Sequence, residues 1–301
     1  MTEPESDKQS LHTDINNVLE VHFKIIQSCS VETDGGERIL LAARPESRYP
    51  YFYPRDGACA SGLLAYLSAS DFSIADDAYE LLKSVANFVL KILRDDGYIG
   101  QRYALSGEEK SVYKQEDNNA HGLIILSNYL LTAEARGENI QNIDKFLISI
   151  NNASQFAIKN YYRPEINLFH STTSIHESAL EEGFSCWTNF AYLKAFTLVS
   201  KVNDDLDAPD IIPDKILTFK SAFKHNLFGV MVAYKRFLRR IDEKGNYDFK
   251  PDFTLLSPFY FGFGNEDKSL LDNSVSFLER QLWDPELGMI QRYLPFSGDI
   301  E

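Results

Sequence analysis

The chain has 301 residues, of which 44% are hydrophobic and 25% charged, and this composition excludes collagen-like, low-complexity and generally disordered proteins. Its 30 Lys and Arg are outnumbered by 44 Asp and Glu. The net charge of −14 repels polyanions, so we expect no nucleic-acid partner. A chain of this length can bury a large core, and its 21 Phe and 16 Tyr suit a cleft lined by aromatic rings.

The cysteines, the N-terminal residues and the absence of long apolar stretches indicate in which compartment the protein is expected. Cys29, Cys59 and Cys186 are widely spaced and form no Cys-x-x-Cys motif or Cys/His cluster, so we predict reduced thiols, no metal and no cofactor. Residues 1–8 are polar and are expected to form a tail ahead of one domain at 9–301. Neither a signal-like apolar region nor a stretch of 18 apolar residues is present, which predicts a cytoplasmic protein with no membrane partner.

Apolar residues recur near a 3.6-residue period along most of the chain and predict helices. The first is expected at 10–28, and an extended stretch at 49–54 follows because each proline restricts the residue before it. Further helices are predicted at 57–69, 76–93, 118–136, 141–160, 184–202, 211–226 and 269–282, with a shorter apolar run at 253–262. No alternating strand pattern competes with these helices.

A loop pattern repeats between the predicted helices. Residues 95–103 are echoed by 286–293, and weaker copies lie at 163–169 and 242–247. The recurrence of helix, Gly or Asn turn, short extended segment and helix is typical of stacked or ring-closed helical hairpins, none of which buries its apolar face alone. The loops of such a ring line one face.

Arg55 and Asp56 follow the aromatic residues 51–53 at the entrance to the second helix. Together they supply a donor, an acceptor and flat rings, which a sugar requires because its hydroxyls need both kinds of partner and its C–H faces pack on aromatic rings. The alternative is a helix-start aspartate beside a surface arginine.

Two later segments carry acids. Asp117 lies in a run of six polar residues, 114–119, where acid–base chemistry and helix capping are both open. Glu177 follows Ile175 and His176, and an apolar environment there would let the carboxyl keep its proton near neutral pH, as a general acid must. A structural role for His176 is the alternative.

In this order, the segments resemble glycoside hydrolase family 15, the glucoamylases and related glucan glucosidases. The resemblance covers about residues 40–301 and implies an all-α fold, an (α/α)6 toroid of helical hairpins. Its motifs are Tyr53-Pro54-Arg55-Asp56, Gln115-Glu116-Asp117, Ser174-Ile175-His176-Glu177, Asp252-Phe253-Thr254-Leu255-Leu256 with Gly262-Phe263, and Gly288-Met289-Ile290-Gln291-Arg292-Tyr293.

The resemblance implies an inverting hydrolase of α-linked glucosides, active in polysaccharide degradation, whose partner is an oligosaccharide or glucoside substrate. Glu177 would be the general acid, and a second carboxylate would activate water on the opposite face of the sugar. The implied substrate-binding residues are Tyr53 as a stacking wall, Arg55 and Asp56 on the hydroxyls, Asp117 lining the pocket and Arg292 on its rim.

The sequence departs from the family pattern in two ways. His176 stands where tryptophan is usual, which leaves a shifted acid at Glu181 or Glu182 as the alternative to Glu177. The chain also stops at Glu301, before the loop that carries the family's catalytic base, with nine or ten predicted helices instead of twelve. We therefore expect an unclosed ring with exposed apolar helix faces.

Three explanations of this ending are open: a fragment of a longer reading frame, a ring completed by a partner chain, or a non-catalytic carbohydrate-binding or regulatory domain derived from the same fold. A different toroid enzyme, such as a sugar epimerase or polysaccharide lyase, fits the order of the motifs less well.

Overall fold

The structure is a computed structural model and describes residues 5–33, 36–173, 175, 182–208 and 214–291. These residues form nine α-helices, one short 3₁₀ helix at Phe253–Leu256 and eleven strands of two or three residues. The α-helices are α1 Glu5–Ser28, α2 Pro54–Ser68, α3 Ala75–Ile92, α4 Asn118–Ala135, α5 Ile143–Asn160, α6 Cys186–Asp205, α7 Asp214–Val230, α8 Ser257–Tyr260 and α9 Lys268–Leu282.

The strands form small antiparallel units. Four are two-stranded hairpins, β1 Ser30–Glu32 with β2 Arg38–Leu40, β3 Tyr162–Arg163 with β4 Leu168–Phe169, β6 Val232–Ala233 with β7 Arg236–Phe237, and β10 Trp283–Asp284 with β11 Met289–Ile290. The remaining unit is a three-stranded sheet in the order β5 Gly183–Ser185, β8 Arg240–Asp242 and β9 Tyr247–Asp248.

The repeat predicted from the sequence is present as a helix followed by a tight turn. Helices α1, α5, α7 and α9 each run into one of the two-stranded hairpins. The turns use left-handed backbone at Asn167, with φ 56°, and at Gly288, with φ 62°. After α3 the same role falls to a turn at Gly97, with φ 93°. Glycine and asparagine adopt this conformation at little cost, which is why the repeat is visible in the sequence.

The predicted helices are found, with shifted ends. Helix α2 begins at Pro54, three residues before the predicted start, because a proline in the first helical turn gives up an amide that has no helical partner anyway. Tyr53 before it is extended, as the proline requires. Helix α1 begins at Glu5, within the stretch that the sequence indicates as a polar tail.

The helices pack in two layers, which confirms the predicted all-α architecture of helical hairpins. Helix α4 packs between α2 and α6, and these three form the inner layer. Helices α3, α5 and α7 pack on them from outside. Because α4 is covered on both sides, almost all of its residues are buried, including its polar first turn. That first turn is part of the site described below.

Some apolar residues of α1 and α2 are exposed among the described residues. A closed (α/α)6 ring has twelve helices, and nine are described here. On α2, Tyr66 is 57% exposed. Helix α1 carries an exposed apolar stripe of Ile15, Val18, Val21 and Ile25. None of the described helices combines the length and hydrophobicity that a membrane span requires.

Gly97 offers a test of the turn that follows α3. A methyl group there would lie 2.2 Å from the main-chain oxygen of Asn152 in α5, so Gly97→Ala combines an unfavourable φ with a backbone clash. The matched control is Gly245→Ala, which has a similar φ of +82° and nothing within 4 Å. We expect the control to cost about 1 kcal/mol and Gly97→Ala about 2 kcal/mol more. Urea unfolding midpoints measure both, and equal costs would contradict the proposed clash.

Candidate active site

The polar run that leads into α4 is buried from Gln115 onward. Gln115 is 3% and Glu116 1% exposed, and Asp117, Asn118 and Asn119 are fully buried. Polar groups removed from water cost free energy unless they gain hydrogen-bond partners. The neighbouring helices must therefore supply those partners, and they do so most densely around Asp117.

Arg55, in the first turn of α2, binds Asp117 through one edge of its guanidinium. Its Nε donates to Oδ2 of Asp117 at 3.3 Å, and its Nη2 lies 3.2 Å from Oδ1 and 3.0 Å from Oδ2. The Arg55 side chain keeps 15% of its surface exposed, whereas that of Asp117 is fully buried. The ion pair thus joins α2 to α4 and holds one edge of the guanidinium in place.

Two more donors complete the environment of the Asp117 carboxylate. The indole Nε1 of Trp187, in the first turn of α6, donates to Oδ2 at 2.9 Å. Nε2 of His121, one turn further along α4, lies 3.3 Å from the same oxygen. The N-terminal ends of all three inner helices therefore meet at this carboxylate, and their dipoles favour a negative charge there.

These contacts set the protonation of the pair. Burial opposes ionisation of Asp117, but the charge of Arg55 and the hydrogen bonds from His121 and Arg55 outweigh it and hold the pKa of Asp117 well below its usual range. Burial also lowers the pKa of His121, although its contact with Asp117 opposes this. At neutral pH the imidazole is therefore neutral, with Nε2–H donating to an ionised carboxylate.

Asp117 occupies the N-cap position of α4, but its side chain makes no capping hydrogen bond. The capping alternative raised by the sequence is therefore not the role of this carboxylate. Its oxygens are taken by Arg55, Trp187 and His121, because a buried charge requires a cationic partner more than a helix requires a cap.

Tyr53 and Asp56, the other site residues predicted in this segment, lie on either side of Arg55. Tyr53 is buried, and its hydroxyl accepts from Nη1 of Arg102 at 3.3 Å. Asp56 is exposed in the first turn of the helix. The segment is held by a two-bond bridge between the main chains of Phe52 and Tyr103, both at 2.9 Å. The roles of Tyr53 and Asp56 in sugar binding stay predictions.

Glu177 and Arg292, the predicted acid and rim residue, lie outside the described residues, as does Glu181. The residues on either side of the segment that contains Glu177 are described. Ser171 and Gly183 pair through two main-chain hydrogen bonds of 2.8 and 3.0 Å, which brings residues 172 and 182 close together. Glu182, the other alternative acid, is exposed.

Sequence reasoning assigned no role to Glu116, His121 or Trp187. The Glu116 carboxylate accepts from the main-chain N–H of Thr172 at 3.0 Å and from its Oγ1 at 2.8 Å. The signal for His121 was its spacing of four residues from Asp117 on one helix. Trp187 and Thr172 lie more than 50 residues from their partners, and no local pattern predicts such contacts.

The motif at residues 252–256 contacts the site through the ring of Phe253. Asp252 is fully buried, accepts from the N–H of Thr254 at 2.8 Å to cap the 3₁₀ helix, and binds Nε of Arg239 at 2.9 Å. The ring of Phe253 then lies 6.1 Å from that of Trp187. This motif is therefore structural, and it packs an aromatic wall against the indole.

A cavity of about 310 Å³ lies in the inner layer, one turn along α4 from Asp117. Its lining includes Cys59 of α2, His121 of α4, Lys194 of α6 and Tyr260 of α8. Its volume is at the lower end of small-molecule pockets. A larger cavity of about 920 Å³ lies between α3 and α5 and contains none of the residues at Asp117. No group of metal-ligating side chains occurs among the described residues.

No family model matches the sequence, and no curated protein matches it. Solved structures do. The chain is similar to a glucoamylase from Saccharomycopsis fibuligera, with a TM-score of 0.72 and 15% identity over 96% of this chain and 68% of the other. It is also similar to a GH76 α-mannanase from Bacteroides thetaiotaomicron, with a TM-score of 0.62 and 12% identity over 94% of this chain and 73% of the other.

A third similar structure, described as a wild-type glycosidase, has a TM-score of 0.61 and 15% identity over 97% of this chain and 75% of its own. Identities of 12–15% establish the fold alone. The predicted resemblance is therefore confirmed for the fold: the chain has the six-hairpin glycosidase fold.

Proposed function

We propose that the chain is a glycosidase domain of the glucoamylase type, which hydrolyses α-linked glucosides with inversion. The observation that carries the proposal is the buried Arg55–Asp117 pair, bound by Trp187 where the N-termini of three inner helices meet. Two structures with this fold are described as a glucoamylase and an α-mannanase, which favours a sugar as the ligand of the site.

In this proposal, Asp117 holds the guanidinium of Arg55 so that its orientation is set before the substrate arrives. An ordered donor loses little side-chain entropy when a sugar hydroxyl binds to it. Asp56, exposed beside Arg55, supplies an acceptor for the same sugar. A donor and an acceptor on adjacent residues match vicinal hydroxyls of a terminal glucose.

The chemical step follows the general scheme for inverting glycosidases. Glu177, as a carboxylic acid, gives its proton to the glycosidic oxygen as the bond from C1 to that oxygen breaks and its electron pair leaves with the oxygen. A water oxygen forms the new bond to C1 from the opposite face and loses a proton to a second carboxylate. We assign no described residue as that second carboxylate.

The first test is proton NMR of the chain with maltotriose, following the anomeric signals. We expect β-glucose to appear first, because attack from the opposite face inverts an α-linkage. Glu177→Gln should lower the rate by about 100-fold or more, since it removes the general acid. Glu181→Gln and Glu182→Gln are matched controls and should retain most activity.

Other outcomes assign the site differently. Loss of activity in Glu181→Gln or Glu182→Gln, with Glu177→Gln active, would move the acid to that residue. Initial release of α-glucose would contradict inversion. Line broadening of the sugar with no turnover, unchanged in Glu177→Gln, would favour a carbohydrate-binding or regulatory domain.

A second test concerns Asp117. Asp117→Asn removes the buried carboxylate charge that pairs with the guanidinium of Arg55, so we expect it to cost about 3 kcal/mol in the free energy of unfolding and to weaken sugar binding. The matched control is Asp76→Asn, which breaks a surface pair with Arg136 in which Asp76 is 90% exposed. That change should cost less than about 1 kcal/mol. Urea unfolding and calorimetric titration with maltotriose measure both effects; equal costs would refute the special role of the buried pair.

The pH dependence of stability follows from the same carboxylate. The pKa of Asp117 is lower in the folded chain than in the unfolded chain, where it is about 3.9, so the pair stabilises fully above that value and is lost as pH falls further. We expect the stability gap between the wild type and Asp117→Asn to be constant from about pH 6 to 8 and to shrink below about pH 4. His121 is in contact with Asp117 and its pKa depends on that carboxylate, so both proteins are compared in a His121→Gln background. A gap that widens on acidification would contradict this assignment.

A further inference from the structure

The cavity of about 310 Å³ in the inner layer contains a positive charge that its lining does not neutralise. Lys194 of α6 lines this cavity, and none of the described lining residues is acidic. Among the described residues, no hydrogen bond or ion pair involves the Lys194 side chain. Burial lowers the pKa of Lys194, and no nearby carboxylate opposes that effect. The ammonium group is therefore half-buried beside an acid-free cavity.

A second polar group at the cavity also lacks a partner. His121 lines the cavity and is 1% exposed, and its Nδ1 has no hydrogen-bond partner among the described residues. Because the neutral imidazole uses Nε2–H to donate to Asp117, Nδ1 carries a lone pair and can only accept. A buried acceptor without a partner costs free energy, which a ligand with a hydroxyl donor would recover.

The third feature of the cavity is an aromatic wall. Tyr260 and Phe261 line it, and their ring centres lie 5.1 and 4.9 Å from that of Trp187. Aromatic rings of this kind pack against the C–H faces of a sugar. The cavity borders α2 at Cys59 and Gly62, both of which are exposed, so a ligand can enter from solvent on that side.

We infer that this cavity is a second binding site, which takes a monosaccharide with one carboxylate, such as a uronic acid. The carboxylate pairs with Lys194, a hydroxyl donates to Nδ1 of His121, and the sugar ring packs on Tyr260 and Phe261. Arg55 is not among the lining residues. The inference therefore goes beyond the proposed function and does not depend on it.

Charge and volume select this class of ligand. Lys194 offers a single positive charge, which matches one carboxylate. A phosphate monoester carries about −1.5 to −2 and would leave negative charge buried without a partner, and a neutral sugar would leave Lys194 without one. The volume lies at the lower end of small-molecule pockets, which suits one sugar ring and not an oligosaccharide.

Calorimetric titration with glucuronate, glucose and glucose 6-phosphate tests the site. Lys194→Met should weaken glucuronate binding about 10-fold or more, because it removes a charge-assisted hydrogen bond, and should change glucose binding less than about twofold. The matched control is Lys201→Met on the same helix, since Lys201 is 63% exposed and is not a lining residue. It should change glucuronate binding less than about twofold. A larger loss for glucose 6-phosphate than for glucuronate would overturn the choice of a carboxylate.

Urea unfolding separates a lost contact from a damaged fold. Lys194→Met replaces a half-buried cation that has no partner by an apolar side chain, so we expect the variant to be at least as stable as the wild type. Weaker glucuronate binding in a chain of equal or greater stability identifies Lys194 as a ligand contact. A variant that unfolds at lower urea concentration would contradict the unpaired state of Lys194 and overturn the inference.

Nitrogen NMR reads the contact at His121 directly. The Nδ1 resonance of His121, assigned by its absence in His121→Gln, should move when glucuronate is added to the wild type and should stay in place in Lys194→Met. An unmoved resonance in the wild type, or glucuronate binding that Lys194→Met leaves unchanged, would overturn the inference. These measurements need no turnover, so they judge the cavity whether or not the chain hydrolyses a glucoside.

Discussion

The buried ion pair of Arg55 and Asp117 is the constraint on which the rest of the site depends. A carboxylate without solvent exposure is stable only if charge and hydrogen bonds replace the water it has lost. Those partners come from α2, α4 and α6 at once, so the three inner helices must start at one level and face one point. The positions of the helix ends, and with them of the loops, follow from that requirement.

The connections that follow the helices are short. Hairpins of two or three residues reverse the chain after α1, α5, α7 and α9 and leave little length to vary. The turn at Gly97 is pinned in another way, since its main-chain oxygen accepts from the side chain of Asn119 at 2.6 Å. Asn119 belongs to the buried polar run of α4, so the outer turn and the site are tied to one segment.

Much of the fold could be predicted from the sequence, because apolar periodicity and glycine turns are local signals. Motif order also led to Arg55, Asp56 and Asp117. The contacts of Asp117 with Arg55 and Trp187 could not be predicted, because they join positions 62 and 70 residues apart. Asp117 shows the limit most clearly: its local pattern is that of a helix cap, and only the packing of α2 and α6 on α4 gives its carboxylate different partners.

The long sequence separation of these contacts has a consequence for folding. Each helical hairpin is local and can form early, while the pairing of Arg55 with Asp117 closes a loop of 62 residues and that of Trp187 with Asp117 one of 70. Until α2 and α6 have both docked, the carboxylate stays in water at no cost. Docking of α2 brings Arg55 and docking of α6 brings Trp187, so the carboxylate is fully partnered only after both steps. An intermediate with two docked hairpins can therefore be compact without a formed Arg55–Asp117 pair, and formation of that pair should lag behind recovery of helix.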